Sequence, residues 1–219
     1  MKNLVSEIDG IYWPKQCLAT FGNHTTTANG LLAKIIPFLK GKKTLVQAGG
    51  HCGLVIKPFV DVFESIYTFE PDPLNFYCLN LNLPYSHVVK IQSCLGDEHK
   101  LVGLFNNWSS DTGATHVALE KKETDRIPML KIDDLNLNSC DLICLDTEGY
   151  EFNILTGAKE TLKKFKPVLC LEEYAPWRER YSVSSEKFNS LMNEIQYKRV
   201  SEFRTGFSVD RIFIHVEQI

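Results

Sequence analysis

No apolar run in this chain approaches the ~20 residues that a membrane-spanning helix needs. The amino-terminal text MKNLVSEIDGIYWP lacks the apolar stretch of a secretory signal. Neither sign of charge is in excess. The 24 Lys and Arg against 27 Asp and Glu leave a formal charge of −3, which gives no support for an electrostatic hold on nucleic acid. No two of the seven cysteines stand in CxxC spacing, and a zinc site needs a cluster of that kind. Several of them, including Cys144 and Cys170, lie inside apolar runs and read as reduced core thiols of a cytoplasmic protein. Internal repeats and low-complexity segments are absent. These gaps leave a protein with neither membrane nor nucleic acid as expected partner; its oligomeric state is open.

What is present is ordinary in bulk and specific in places. With 44% hydrophobic and 23% charged residues, the 219-residue chain has the balance of a globular α/β domain with some extension. Residues 1–25 read as loop, and residues 28–39 carry apolar positions at helical spacing. Strands are expected at Thr44–Ala48, Ser65–Phe69, Val88–Leu95, Asp141–Leu145 and Val168–Leu171. Helices are expected between them at Gly53–Glu64, Pro73–Leu81 and Glu151–Lys164, and after them at Ser184–Gln196. Tyr197–Phe203 and Arg211–Val216 suggest a closing antiparallel pair. Strands alternating with helices predict a mostly parallel sheet covered on both faces, with residues 1–40 an amino-terminal helical and loop extension and 41–219 the main domain. In such sheets the chemistry lies at the carboxyl ends of the strands.

Four of those ends carry a signal. Gly49-Gly50-His51-Cys52-Gly53 follows the first strand, and glycines there allow a tight turn and close approach to a ligand. The spacing is GGxxG, not GxGxxG. Glu70-Pro71 follows the second strand, where a carboxylate accepts hydrogen bonds from a ribose diol; loop and acid together point to an adenosine-containing cofactor. Ser93 and Cys94 at the end of the third strand are candidates for the adenine contact. After the fourth strand comes Asp146-Thr147-Glu148-Gly149-Tyr150-Glu151, a concentration of carboxylates that costs desolvation and marks an active-site edge.

In this order the motifs resemble the FkbM family of S-adenosylmethionine-dependent methyltransferases, over roughly residues 44–173. The first motif stands as Val46-Gln47-Ala48-Gly49-Gly50-His51-Cys52-Gly53, the second as Phe69-Glu70-Pro71. Asn80, Lys131-Ile132-Asp133-Asp134-Leu135, and above all Asp141-Leu142-Ile143-Cys144-Leu145-Asp146-Thr147-Glu148-Gly149-Tyr150-Glu151 continue the likeness. It runs on through Leu155, Gly157-Ala158, Pro167 and Glu172. The resemblance implies a class I methyltransferase (Rossmann-like) fold: a seven-stranded mostly parallel sheet, its last strand antiparallel, with helices on both faces. It also implies S-adenosylmethionine as methyl donor and a hydroxyl on a sugar or other small metabolite as acceptor.

Two positions depart from the family pattern. Gln47 replaces the acid that helps hold the ammonium of the cofactor, and Cys144 replaces a Lys. Gln47, Gly49, Gly50, His51, Gly53, Glu70, Pro71, Ser93, Cys94 and Asp146 are the expected cofactor residues. Asp146, Glu148 and His51 are the candidates to take the acceptor proton, with His24 and His116 as further imidazoles. Glu151, first in its helix, also reads as an acid complementing the helix dipole. Trp108 and Asp111, in the Gly- and Asn-rich segment 100–117, are expected in the acceptor wall with Glu172. Tyr174, Trp177, Arg178 and Arg180 are expected in the opposite wall. Asp146, Glu172 and Glu173 offer oxygen ligands at which some methyltransferases of this superfamily hold Mg²⁺, but the FkbM resemblance implies no metal and none is assigned. Two other readings stay open: a weak or inactive adenosine-binding interaction module, suggested by Gln47, and a nicotinamide oxidoreductase, disfavoured by the GGxxG spacing.

Overall fold

The computed structural model describes residues 1–21, 30–106, 111–120, 126–205 and 208–219. Seven strands form the central sheet: β1 (Thr44–Ala48), β2 (Ser65–Phe69), β3 (Val88–Ile91), β4 (Leu142–Leu145), β5 (Val168–Glu173), β6 (Tyr197–Thr205) and β7 (Ser208–His215). Their order is β3-β2-β1-β4-β5-β7-β6. Each of β1 to β5 pairs in parallel with its neighbour, and β7 runs antiparallel to both β5 and β6. This is the sheet the resemblance implies.

The strands are apolar on both faces because both are covered. Along β4 and β5, Ile143, Leu145, Leu169 and Leu171 join one core cluster, while Leu142, Cys144, Val168 and Cys170 join the other. The first cluster lies under α2 (Glu151–Thr156), α3 (Lys159–Phe165) and α5 (Ser185–Glu194); the second under α1 (Pro73–Asn82), helical residues 30–35 and the segment with Ile56, Phe59 and Phe63. Caps fix the helix starts. Asp72 accepts from the backbone N–H of Leu74 and Asn75 at 2.9 Å, and Ser184 from that of Lys187.

The register sets the site. Ala48 lies opposite Phe69 and Leu145, Phe69 opposite Ile91, and Leu145 opposite Leu171. The residues that follow them (Gly49, Glu70, Asp146 and Glu172) therefore emerge along one edge.

Four expectations change. Gly53–Glu64 is not an α-helix but a run of turns around one 3-10 turn, Lys57–Phe59. Gly53 has φ +85 and Pro58 lacks an N–H, so a continuous ladder cannot form. The expected helix 151–164 is two helices, broken where Gly157 passes the chain at Gly96: a Cβ on Gly157 would stand 2.0 Å from the Gly96 carbonyl oxygen. Asp133 then caps α3, accepting from the backbone N–H of Thr161 at 2.8 Å. The third strand ends at Ile91; Cys94–Leu95 instead pairs with Ile127–Leu130, which also pairs with Lys100–Val102, in a separate small sheet. Residues 1–25 are not all loop, since Val5–Ile8 and Ile11–Pro14 form a hairpin. Its turn, Asp9-Gly10, has φ +51 and +75, the two-residue geometry that suits twisted strands.

Candidate active site

A cavity of about 510 Å³ opens at the carboxyl edge of the sheet. It begins at the glycine loop. Gly49 has φ +83, and a Cβ there would lie 1.8 Å from the Asp146 carbonyl oxygen; only glycine allows β1 and β4 to turn out side by side. The N–H groups of Gly49 and Gly50 both donate to the Phe69 carbonyl, at 3.1 and 2.9 Å. His51, at φ +45, donates its backbone N–H to Glu70 Oε2 at 2.6 Å, and Asp72 donates to Glu70 Oε1 at 2.8 Å. Burial pushes the Glu70 carboxyl up to about 8, against the pull of those two N–H groups. Each Glu70 oxygen keeps lone-pair capacity for a further donor.

Ser93 and Cys94 line the same cavity beyond Glu70. Ser93 is fully buried, and its Oγ has no hydrogen-bond partner among the described residues. A buried hydroxyl in that state is costly unless a ligand satisfies it. Burial also pushes the Cys94 thiol up to about 12.

Carboxylates gather at the other end. Asp146, Glu148 and Glu172 each bring an oxygen within 4.8 Å of the others. Burial pushes Glu148 up to about 9, the Asp146 and Glu151 charges add to this, and Arg180 offsets part of it. Glu148 therefore keeps its proton at neutral pH and can donate a hydrogen bond to a neighbouring carboxylate. The turn that presents it is tightly built. Glu148 has φ +57, and a Cβ on Gly149 would lie 2.4 Å from the Trp177 carbonyl carbon, so α4 (Ala175–Arg180) rests directly on it. Glu151 braces the turn from beneath, its Oε1 accepting from the Thr147 N–H at 2.9 Å and the Thr147 hydroxyl at 2.8 Å.

Not every expected residue reaches the cavity. Gln47 is buried off the wall: its Nε2 donates to the Ala48 carbonyl at 3.0 Å, and its Oε1 accepts from the Thr68 hydroxyl at 2.6 Å. Gly50 and Gly53 lie behind the loop, where Cβ atoms would meet Leu79 and Leu83. Cys144 lies in the second core cluster beside Cys170. Of the wall after β5, Tyr174 and Trp177 line the cavity as a T-shaped pair at 5.0 Å, and Arg180 lines it too. Arg178 turns away to pair with Glu173 at 3.1 Å. Glu173, adjacent to Glu172 on β5, is likewise taken up by Arg178 and Arg211. Asp111 and Pro71 line the cavity, and Asp111 accepts from the Gly113 N–H at 2.9 Å. His116 is buried there, and burial lowers its basicity. Trp108 and His24 fall outside the described residues. Thr112 and Trp13 touch His51 from distant parts of the chain, and neither carried a motif.

These features define a class I methyltransferase fold, and comparison with known proteins agrees. The chain has a TM-score of 0.53 with the methyltransferase FkbM from Methylobacillus flagellatus KT, at 18% identity over 80% of this chain and 44% of that one. It has the same score with the N-methyltransferase NodS from Bradyrhizobium japonicum WM9, at 10% identity over 90% of this chain and 99% of that one. With the ribosomal protein L11 methylase from Lactobacillus delbrueckii subsp. bulgaricus the TM-score is 0.50 at 10% identity, over 86% and 77%. No curated protein matches in sequence. The methyltransferase FkbM domain matches residues 58–199, and this chain belongs to that family. It spans less than half the length of the M. flagellatus protein. No helix among the described residues is long and apolar enough to cross a membrane.

Proposed function

We propose that this protein is an S-adenosylmethionine-dependent O-methyltransferase acting on a hydroxyl of a sugar or other small metabolite. The observation that carries the reading is one cavity with two chemically different ends. Glu70 and the unpartnered Ser93 Oγ lie at one end, and the Asp146, Glu148 and Glu172 carboxyls at the other. The first end fits an adenosine: Glu70 for the ribose diol, Ser93 and Cys94 for the adenine edge. S-adenosylmethionine would supply an activated methyl group. The chain's own residues position the acceptor and remove its proton.

Asp146 is the residue assigned to the reacting centre. Glu148, held protonated by burial, offers a hydrogen-bond donor to the cluster, and a neighbouring carboxylate accepts the hydroxyl proton. Tyr174 and Trp177, packed edge to face, give the wall aromatic surface against which a sugar ring can lie. The seven free thiols fit a cytoplasmic setting.

The internal hydrogen bonds of Gln47 favour a second reading, a non-catalytic adenosine-binding module, because its amide is already satisfied without a cofactor ammonium. Calorimetric titration with S-adenosylmethionine, S-adenosylhomocysteine and NADH, followed by an acceptor screen, separates the readings. Micromolar binding of the two sulfur nucleotides alone is expected. Asp146→Asn is expected to keep that binding and to lose turnover by about 100-fold or more. Full activity in Asp146→Asn would remove it from the chemistry, and binding with no methyl transfer to any acceptor would favour the module.

A further inference from the structure

We infer that Thr112 is a positioning residue of the cofactor site: it latches the His51 ring so that the His51 backbone N–H is held on Glu70. The inference rests on the cofactor reading above for its functional consequence, but its geometry stands alone. Thr112 Oγ1 lies 3.0 Å from His51 Nε2. Cys17 Sγ donates to the same oxygen at 3.4 Å, so that oxygen bridges the thiol and the imidazole. The resulting chain runs from Cys17 Sγ through Thr112 Oγ1 to His51 Nε2.

Thr112 cannot easily move to another partner. Its N–H donates to Cys17 Sγ at 3.1 Å, and its carbonyl accepts from Asn75 Nδ2 at 3.2 Å. Trp13 packs edge to face on the same imidazole at 4.7 Å, and Trp13 Nε1 is itself tied to the Cys17 carbonyl at 2.8 Å. The ring is thus clamped between the amino-terminal segment and the segment that follows Asp111. The clamp explains why His51 tolerates φ +45, a conformation that L residues with a Cβ usually avoid. In that conformation its N–H meets Glu70 at 2.6 Å.

Two consequences follow. Nε2 is engaged by Thr112, and the role inferred for His51 is exerted through its backbone N–H on Glu70. Cys17 and Trp13, which do not line the cavity, then bear on the cofactor site through the His51 ring.

The test compares wild type, Thr112→Val and Thr112→Ser. Valine keeps the shape and loses the hydroxyl; serine keeps the hydroxyl. Two quantities are read: NMR-detected hydrogen exchange at the His51 amide in the ligand-free protein, and the Kd for S-adenosylhomocysteine. Thr112→Val is expected to speed exchange about tenfold and to weaken binding about fivefold, the size of one lost hydrogen bond. Thr112→Ser is expected to stay within about twofold of wild type in both.

His51→Leu provides the second line, read by Kd alone. It should weaken binding as much as Thr112→Val, and the double variant should be no worse than either single one. If Thr112→Val does not fold, a Kd unchanged in His51→Leu overturns the inference. So does a valine variant that matches wild type, or a serine variant that fails like valine. If wild type binds no S-adenosylhomocysteine, the cofactor reading falls, and exchange at His51 still decides the latch.

Discussion

Gly49 passes so close to Asp146 that a methyl group on its Cα would stand 1.8 Å from the Asp146 carbonyl oxygen. The glycine loop after β1 and the acidic turn after β4 are thus one packed unit at the point where the sheet order changes direction. Gly49→Ala must push these two loops apart and hold a Cβ at φ +83. It is expected to cost about 3 kcal/mol, a fall of about 9 °C in Tm. Binding of S-adenosylhomocysteine should be lost with it. Urea unfolding and calorimetry check both, and an alanine variant of wild-type stability would mean the loops are not packed this way.

The role proposed for Glu70 predicts a pH dependence of binding. Its carboxyl is pushed up to about 8 by burial, so ligand-free protein at pH 7 holds it mainly protonated. A ribose diol donates best to the ionised form. Affinity for S-adenosylhomocysteine should therefore rise as pH climbs from 6.5 to about 8.5, by up to about tenfold per pH unit below the pKa. Glu70→Gln should bind weakly and with a flat profile. Calorimetry at three pH values is sufficient, and a falling affinity in wild type would exclude this role for Glu70.

Stability should run the other way. Glu70, Glu148 and Glu151 are all raised, to about 8, 9 and 7, chiefly by burial. An unfolded chain binds fewer protons than the folded one between about pH 4.5 and these values, so these groups contribute fully below that window and progressively less through it. Tm is expected to decline from pH 5 to pH 9. Glu148→Gln, which keeps the shape and cannot ionise, should flatten the decline and raise Tm at pH 8 by roughly 4 °C. Thermal melts across the range read this directly; parallel curves for the two proteins would show that Glu148 ionises normally.

Much of this site was legible in the sequence because it lies where strands end. β1, β2 and β4 are short apolar runs closed by Gly49, Glu70 and Asp146, and parallel register brings such ends together. What was not legible depends on separation along the chain. Thr112 meets His51 across 61 positions and Cys17 across 95, with no periodicity to announce either contact. The hairpin Val5–Pro14 did carry a signal, the dipeptide Asp9-Gly10, but its strands are short and half-exposed, so alternation was weak. Residues 53–64 show the opposite error. Apolar spacing there suits burial under the sheet, while Gly53 and Pro58 deny the helix its ladder. Arg178 could not be told from Arg180 by sequence, although one is buried in an ion-pair network and the other lines the cavity.

That network makes the last prediction. Glu173 is buried at the end of β5 and accepts from Arg178 and Arg211 through the same oxygen, Oε2. Arg178 also donates to the Ser185 hydroxyl at 3.0 Å and lies over the Phe188 ring at 4.9 Å, so it ties β5 to the start of α5. Replacing it with methionine keeps most of the packing and leaves Glu173 with one cation. A buried pair broken outright costs about 3–5 kcal/mol. Since Arg211 remains, Arg178→Met should cost about 2 kcal/mol. Arg211→Met should cost less, because Arg211 is more exposed than Arg178 and its removal leaves the buried pair intact. The double variant should cost more than the sum, because only then is the carboxylate stranded. A urea-unfolding cycle measures all three. Simple additivity would mean that Glu173 takes up a proton or water in each variant and that the network holds the strand end less firmly than its burial implies.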